Sequence, residues 1–140
     1  MLKTILVALD SSELSQHVIQ SLDELQIQPA TKVVLSQVIP SFESDMEMVV
    51  DRPQISEEHL YRHIEKQLET YQDKLSCESE LEIVRGDPAV EIVRLAHIHR
   101  ADLIVIGTRG LTGLKRILEG SVSSQVVVDA PCSVLVVKQD

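Results

Sequence analysis

Leu103-Ile104-Val105-Ile106-Gly107-Thr108-Arg109-Gly110 begins the stretch that decides the fold, and it continues through Leu111-Thr112-Gly113-Leu114-Lys115-Arg116-Ile117-Leu118-Glu119 to Gly120-Ser121. Four successive apolar residues with no polar face read as a strand covered on both sides, the signature of a parallel sheet. Lys3–Leu9 and Thr31–Ile39 are runs of the same kind, and the first ends at Asp10. Glu80–Arg85 alternates, as a strand nearer a sheet edge does, and Cys132–Lys138 supplies a fifth strand. Helical periods separate these runs. Leu14, Val18, Leu22 and Leu25 carry the first, to Gln26, with Ser12 as its expected N-cap. Leu60, Ile64, Leu68, Tyr71 and Leu75 give a stripe to a second, over Ile55–Leu75. Gly86-Asp87-Pro88 reads as turn, N-cap and first helical residue of a third, reaching about Arg100. Gly120-Ser121 is expected to open the last helix, to about Asp129, after a loop over Gly107–Glu119 that has room for a helical turn near its end. Strands alternating with helices predict a doubly wound parallel sheet with helices on both faces. Its ligand site is expected outside the carboxyl ends of the strands, after Leu9, Val38 and Ile106.

The chain has 140 residues, which suits one domain over 1–140. Apolar residues make up 44% and aromatics only 2%, so Val, Ile and Leu must build the core. A formal net charge of −9 argues against nucleic acid and acidic membranes as partners. A phosphate ligand stays compatible, because backbone N–H groups hold anions locally. Cys77 and Cys132 form no CxxC and have no histidine at metal-site spacing, so both read as reduced thiols of a cytoplasmic protein. No secretory leader and no membrane-spanning apolar run is legible. Ser41–Pro53, with Met46 and Met48, reads as a loop.

The long glycine-bearing segment is the candidate binding motif. Gly107 and Gly110 lack a Cβ, which lets a ligand approach the backbone. Gly120, Ser121 and the N–H groups after them would form an anion site at a helix start, with Lys115 and Arg116 supplying charge. The alternative is an ordinary βα loop whose glycines relieve tight packing. No Gly-Lys-Ser/Thr ends the run, so it is not a Walker loop, and the first strand ends in Asp10-Ser11-Ser12 without the dinucleotide glycines.

Gly107-x2-Gly110-x9-Gly120-Ser121 resembles the nucleotide motif of ATP-binding universal stress proteins. The resemblance extends to Ile5–Ser12, Gly86–Ala89, Ala101–Gly107 and Ala130–Val137, essentially the whole chain. It implies a five-stranded parallel sheet in the order 3-2-1-4-5. It implies ATP, or AMP or ADP, as ligand, with Mg or Mn as an accompanying metal. Asp10 would lie near ribose and phosphates, touching a metal through nucleotide or water. Val38 would meet adenine through its backbone, and Ile106 and Gly107 would border base and ribose. Arg109, Gly110, Gly120, Ser121, Val122 and Ser123 would surround the phosphates. The resemblance also implies a homodimer through the fifth strand, at Val134, Leu135, Val136 and Val137. Two departures stand out: Gln37 replaces a common histidine, and Glu119 replaces a common apolar residue.

These features favour a stress-response regulator that binds ATP. The runner-up is a slow ATPase or adenylyl-transfer enzyme on the same fold, with Asp10 as the acid. No Ser-His-Asp or Cys-His constellation is visible. A phosphorelay receiver would need an acceptor Asp after strand three, where Val84-Arg85-Gly86 stands. His59 and His63 share a helix face but lack a third metal ligand, and His97 and His99 near a helix end suit its dipole.

Overall fold

Thr4–Leu9 forms β1, and its neighbours explain its composition: β2 (Lys32–Ile39) pairs on one side and β4 (Leu103–Arg109) on the other, both parallel. The computed structural model describes residues 2–40, 57–109 and 114–139, and of 109, 114–121 and 139 the backbone alone. Between the strands run α1 (Leu14–Glu24), α2 (Glu57–Gln72), α3 (Pro88–His99) and α4 (Leu114–Asp129), and β3 (Glu78–Arg85) and β5 (Ser133–Gln139) complete the sheet. The order is β3-β2-β1-β4-β5, all parallel, as expected. The loop expected over 41–53, including Met46 and Met48, lies outside the described residues, as does Gly110.

Alternate residues of each central strand feed two separate cores. Ile5, Val7, Val33, Leu35 and Val105 pack under α1 and α2, against Leu14, Val18, Leu22, Ile64 and Leu68. Leu6, Ala8, Val34, Ile104 and Ile106 pack under α3 and α4, against Ile92, Leu95, Ala96 and Val126. Ile5, Leu6 and Val7 have no exposed surface at all, which is why β1 carries no polar position. β3 is half-exposed along its length and lies at the edge, as its alternation predicts.

Local chemistry sets the helix boundaries. Asp87 caps α3 as the sequence indicates, its carboxylate accepting the Val90 N–H at 3.1 Å with Pro88 in the first turn. Gly86 before it has φ +151°, and a Cβ there would sit 2.9 Å from Glu91 Cγ. Ser12 is not the N-cap of α1; Glu13 occupies that position without a side-chain cap. The Ser12 hydroxyl donates to the Asp10 carboxylate and accepts the Leu14 N–H at 3.3 Å, so it meets a first-turn donor from one residue before the cap position. The last helix also differs from expectation. It begins at Leu114 and takes Gly120 and Ser121 into its interior. Leu114, Ile117, Leu118 and Val122 continue the helical period upstream, and that spacing outweighs the roughly 1 kcal/mol that an internal glycine costs. The Ser121 N–H therefore stands within α4 and not at its start.

At the edge of the sheet away from the strands' carboxyl ends, Asp102 ties β1 to β4. Its Oδ2 accepts the Lys3 N–H at 2.8 Å and the Thr4 N–H at 3.0 Å, and its own N–H donates to the Thr4 carbonyl at 2.8 Å. Those backbone donors hold the carboxyl below its ordinary 3.8. The unfolded chain then binds the proton more readily than the folded one. The contribution is complete above about pH 3.8 and is lost as pH falls through the lower folded value. Asp102→Asn should flatten the acid limb of a stability–pH curve measured by urea unfolding. A limb as steep as wild type below pH 4 would show that other carboxylates govern it.

A cleft at the carboxyl ends of β1, β2 and β4

The chain runs β1 to β2 to β3 in one direction and then returns to place β4 against the other side of β1. Successive crossovers diverge there, which leaves a crevice outside the carboxyl ends of β1 and β4. A cleft of about 420 Å³ occupies that position, a volume typical of small-molecule sites. Its walls come from the ends of three strands and from the helices that flank them. Leu14 and Val18 of α1 line one wall, and Ile92 of α3 and Val122 of α4 the other; Asp10, Ser11, Ser36, Gln37, Val38, Gly107 and Thr108 supply the floor and rim.

Asp10 is exposed and follows β1 directly. Its Oδ1 accepts the Ser12 N–H at 2.9 Å and the Ser12 hydroxyl. Ser15, buried in the first turn of α1, braces the same residue. Its hydroxyl accepts the Asp10 N–H at 3.1 Å, donates to the Asp10 carbonyl at 2.5 Å and lies 3.2 Å from Oδ1. The carboxylate is thus fixed through one oxygen, and Oδ2 takes no hydrogen bond among the described residues. That second oxygen suits a ribose hydroxyl or a hydrated divalent cation. The Tyr71 phenol is held above its ordinary pKa, first by burial and then by the Asp10 charge.

Among the described lining residues Asp10 is the one charged group. The rest is aliphatic with a few neutral polar atoms, which fits the nucleoside part of a ligand better than its phosphates. No group of three or more His, Cys, Asp or Glu among the described residues could hold a metal unaided. His99 is engaged elsewhere, 2.8 Å from Glu82 Oε2. Cys77 and Cys132 are free, and burial raises both thiol pKa values.

The sequence-derived residues are placed as follows. Asp10, Val38, Ile106, Gly107 and Val122 line the cleft. Ser123 is buried and does not line it. Arg109 ends β4, and Gly120 and Ser121 lie within α4. Ser11, Ser15, Gln37 and Thr108 were not singled out as site residues. The usable signal was polarity within apolar runs: Ser36 and Gln37 interrupt β2, and Ser15 stands at a position on α1 that its apolar stripe surrounds.

The whole chain also matches known proteins. The model of the universal stress protein family matches residues 1–138. The chain belongs to the universal stress protein family. A universal stress protein of Synechocystis is 34% identical, with 96% of each chain covered. The solved structure of hypothetical protein MJ0577 superposes with a TM-score of 0.81 at 30% identity, covering 99% of this chain and 96% of that one. Three more distant universal stress proteins of the fold were solved with AMP (Arabidopsis thaliana), with cAMP, and with dAMP (Archaeoglobus fulgidus). Their TM-scores are 0.72, 0.69 and 0.68 at 23%, 22% and 22% identity. They cover 99%, 98% and 97% of this chain and 92%, 97% and 98% of their own.

Gly107 has a role other than the one its motif suggests. A Cβ on it would meet Leu14 Cδ2 and Cγ at 2.7 Å and Val18 Cγ2 at 3.0 Å. Its missing side chain lets α1 lie close on β4, and the same two residues form the cleft wall. Close helix packing by itself demands glycine at this position. Gly107→Ala should cost about 1–3 kcal/mol by overpacking, read as a lower urea midpoint. In the double variant with Leu14→Ala the loss should be smaller than the sum of the two single losses. Simple additivity would disprove the contact.

Proposed function

We propose that this protein is a stress-response regulator, a single domain over 1–140 acting in the cytoplasm, that holds ATP in the cleft at the ends of β1, β2 and β4. The observation that carries the reading is the Asp10 carboxylate, fixed through Oδ1 and, among the described residues, open at Oδ2, at the rim of a cleft whose described lining is otherwise uncharged. A nucleoside would place its base between Ile106, Val122 and the backbone of Val38, and its sugar beside Asp10 and Gly107. The triphosphate would leave toward Arg109, Gly110, Gly120 and Ser121, with Ser123 buried behind them. Asp10 is the residue available to a Mg or Mn ion that accompanies the phosphates. The adenine nucleotides bound by three relatives support the base assignment, since adenine is common to AMP, cAMP and dAMP. A lone carboxylate with no histidine or lysine beside it in the described lining is a poor general base. A binder whose state of occupancy is read by a partner fits the cleft better than an enzyme with rapid turnover.

Calorimetric titration tests the reading directly. Wild type should bind ATP, and Ser121→Ala should lose about ten- to a hundredfold in affinity, as expected for one charge-assisted hydrogen bond of roughly 1.5–3 kcal/mol. Gly110→Val and Gly120→Val should lose at least as much while circular dichroism stays unchanged. Absence of binding at millimolar ATP, or folded glycine variants that bind as wild type does, would overturn it.

The same reading includes a homodimer. β5 is an edge strand, and Val134, Leu135, Val136 and Val137 leave it half-buried and apolar. Val127 and Val128, at the end of the helix that leads into it, are 52% and 76% exposed. An open apolar edge invites pairing, and two copies meeting β5 to β5 would close it about a two-fold axis. Light scattering at micromolar concentration should give about twice 15.6 kDa. A monomer mass would exclude this assembly.

A further inference from the structure

Ser15 is the odd residue of α1. It is 2% exposed and stands on the apolar side of the helix with Leu14, Val18, Ile19 and Leu22. Alanine would fill that space and favour the helix more. Serines within helices ordinarily bond back to their own turn, as Ser21 does, donating to the Val18 carbonyl at 2.6 Å. Ser15 reaches out of the helix instead, to a residue five positions earlier. Its hydroxyl accepts the Asp10 N–H at 3.1 Å and donates to the Asp10 carbonyl at 2.5 Å. Leu9 is the last residue of β1 paired with a neighbouring strand, and Ser15 takes over where the ladder stops. The same hydroxyl oxygen lies 3.2 Å from Asp10 Oδ1, so backbone and side chain of one residue are referred to a single buried atom.

We infer that Ser15 is a positioning residue for the ligand: it aims the Asp10 carboxylate, and affinity depends on it through Asp10. This rests on the nucleotide reading above and adds what that reading leaves open, how a carboxylate at an exposed rim keeps one direction. Ser15 lines the cleft, but its one proton goes to the Asp10 carbonyl and its oxygen takes the Asp10 N–H, which leaves little for a ligand contact of its own. Ser12 also holds Oδ1, yet it belongs to the same loop and moves with it. A bond within a loop sets its shape, and a bond to a rigid element sets its place. Gln37 adds an outside tie one residue further on, from its amide nitrogen to Ser11 Oγ at 2.9 Å. α1 is itself seated: Leu14 and Val18, on either side of Ser15, lie so close on Gly107 that a Cβ there would meet them at 2.7 and 3.0 Å. Rigidity thus runs from β4 through α1 and Ser15 to Asp10, and it ends at Oδ2, which takes no hydrogen bond among the described residues. A carboxylate already held in one direction is not ordered at the ligand's expense.

A double-variant cycle on the full chain, read by calorimetric titration with ATP and Mg²⁺, tests the inference. Ser15→Ala should weaken binding about fivefold and Asp10→Ala about tenfold. The double variant should bind within about twofold of Asp10→Ala alone, because no carboxylate is left to aim. A serine that only supports the fold would lower affinity by the same factor in both backgrounds, and such additivity would overturn the inference. So would Ser15→Ala binding as wild type does while Asp10→Ala is weakened. Should Ser15→Ala not fold, Ser15→Cys, of similar shape with a weak hydrogen-bonding group, carries the same cycle and the same expected loss. These outcomes leave nucleotide binding standing. Asp10→Ala binding as wild type does would remove the role of Asp10 and this inference with it, and a wild type that binds no ATP removes the nucleotide reading as well.

Discussion

Everything in this molecule depends on β1 being buried on both faces. Ile5, Leu6 and Val7 are fully enclosed, with Leu35 and Val105 on one side of the sheet and Val34 and Ile104 on the other. Each such side chain contributes roughly 1.5–3 kcal/mol when removed from water, so exposing either face would be prohibitive for a small domain. Two layers of helix are therefore obligatory. The crossovers that lay them down must turn one way for β2 and β3 and the other way for β4 and β5. The cleft is a by-product of that reversal. It exists because two helices leave β1 and β4 in diverging directions, before any side chain is chosen to line it.

The side chains then convert a geometric gap into a site. Ser15 reaches from α1 to both backbone groups of Asp10, so the carboxylate that ends β1 is positioned by the helix that follows it. Gly107 lets that helix settle against β4, and Leu14 and Val18 form the wall as a consequence. Packing and cleft shape are thus coupled through α1: what closes the core on one side of the helix shapes the cleft at its end. The described lining carries a single charge, and the basic residues Arg109, Lys115 and Arg116 fall along the segment from the end of β4 into α4.

The order of elements was legible because hydrophobic periodicity is a local property. Continuous apolar runs at Thr4–Leu9, Lys32–Ile39 and Leu103–Ile106 allow only enclosed strands, and the Gly86-Asp87-Pro88 turn announces α3 residue by residue. Readings failed where two local signals competed. Ser12 has the chemistry of an N-cap and does accept the Leu14 N–H, but the helix starts one residue later and Glu13 takes the cap position. Gly120-Ser121 has the composition of a helix start, but the apolar spacing from Leu114 carries the helix through it. Gly107, by contrast, lines the cleft as its motif suggests and also makes a helix contact that no local signal announced.

The sequence by itself determined the class of fold, the family and the strand ends at which the cleft lies, because each follows from patterns within a few residues of one another. It placed Asp10, Val38 and Ile106 near one site through the rule that parallel strands share a carboxyl edge. Only the tertiary structure decided which polar atoms in that site are already satisfied. Gln37 and Ser11 are separated by 26 positions and meet at 2.9 Å, and Lys3 and Asp102 by 99 and meet at 2.8 Å. Such contacts depend on strand register and helix closeness, quantities set by the sum of the packing and carried by no single segment of the chain.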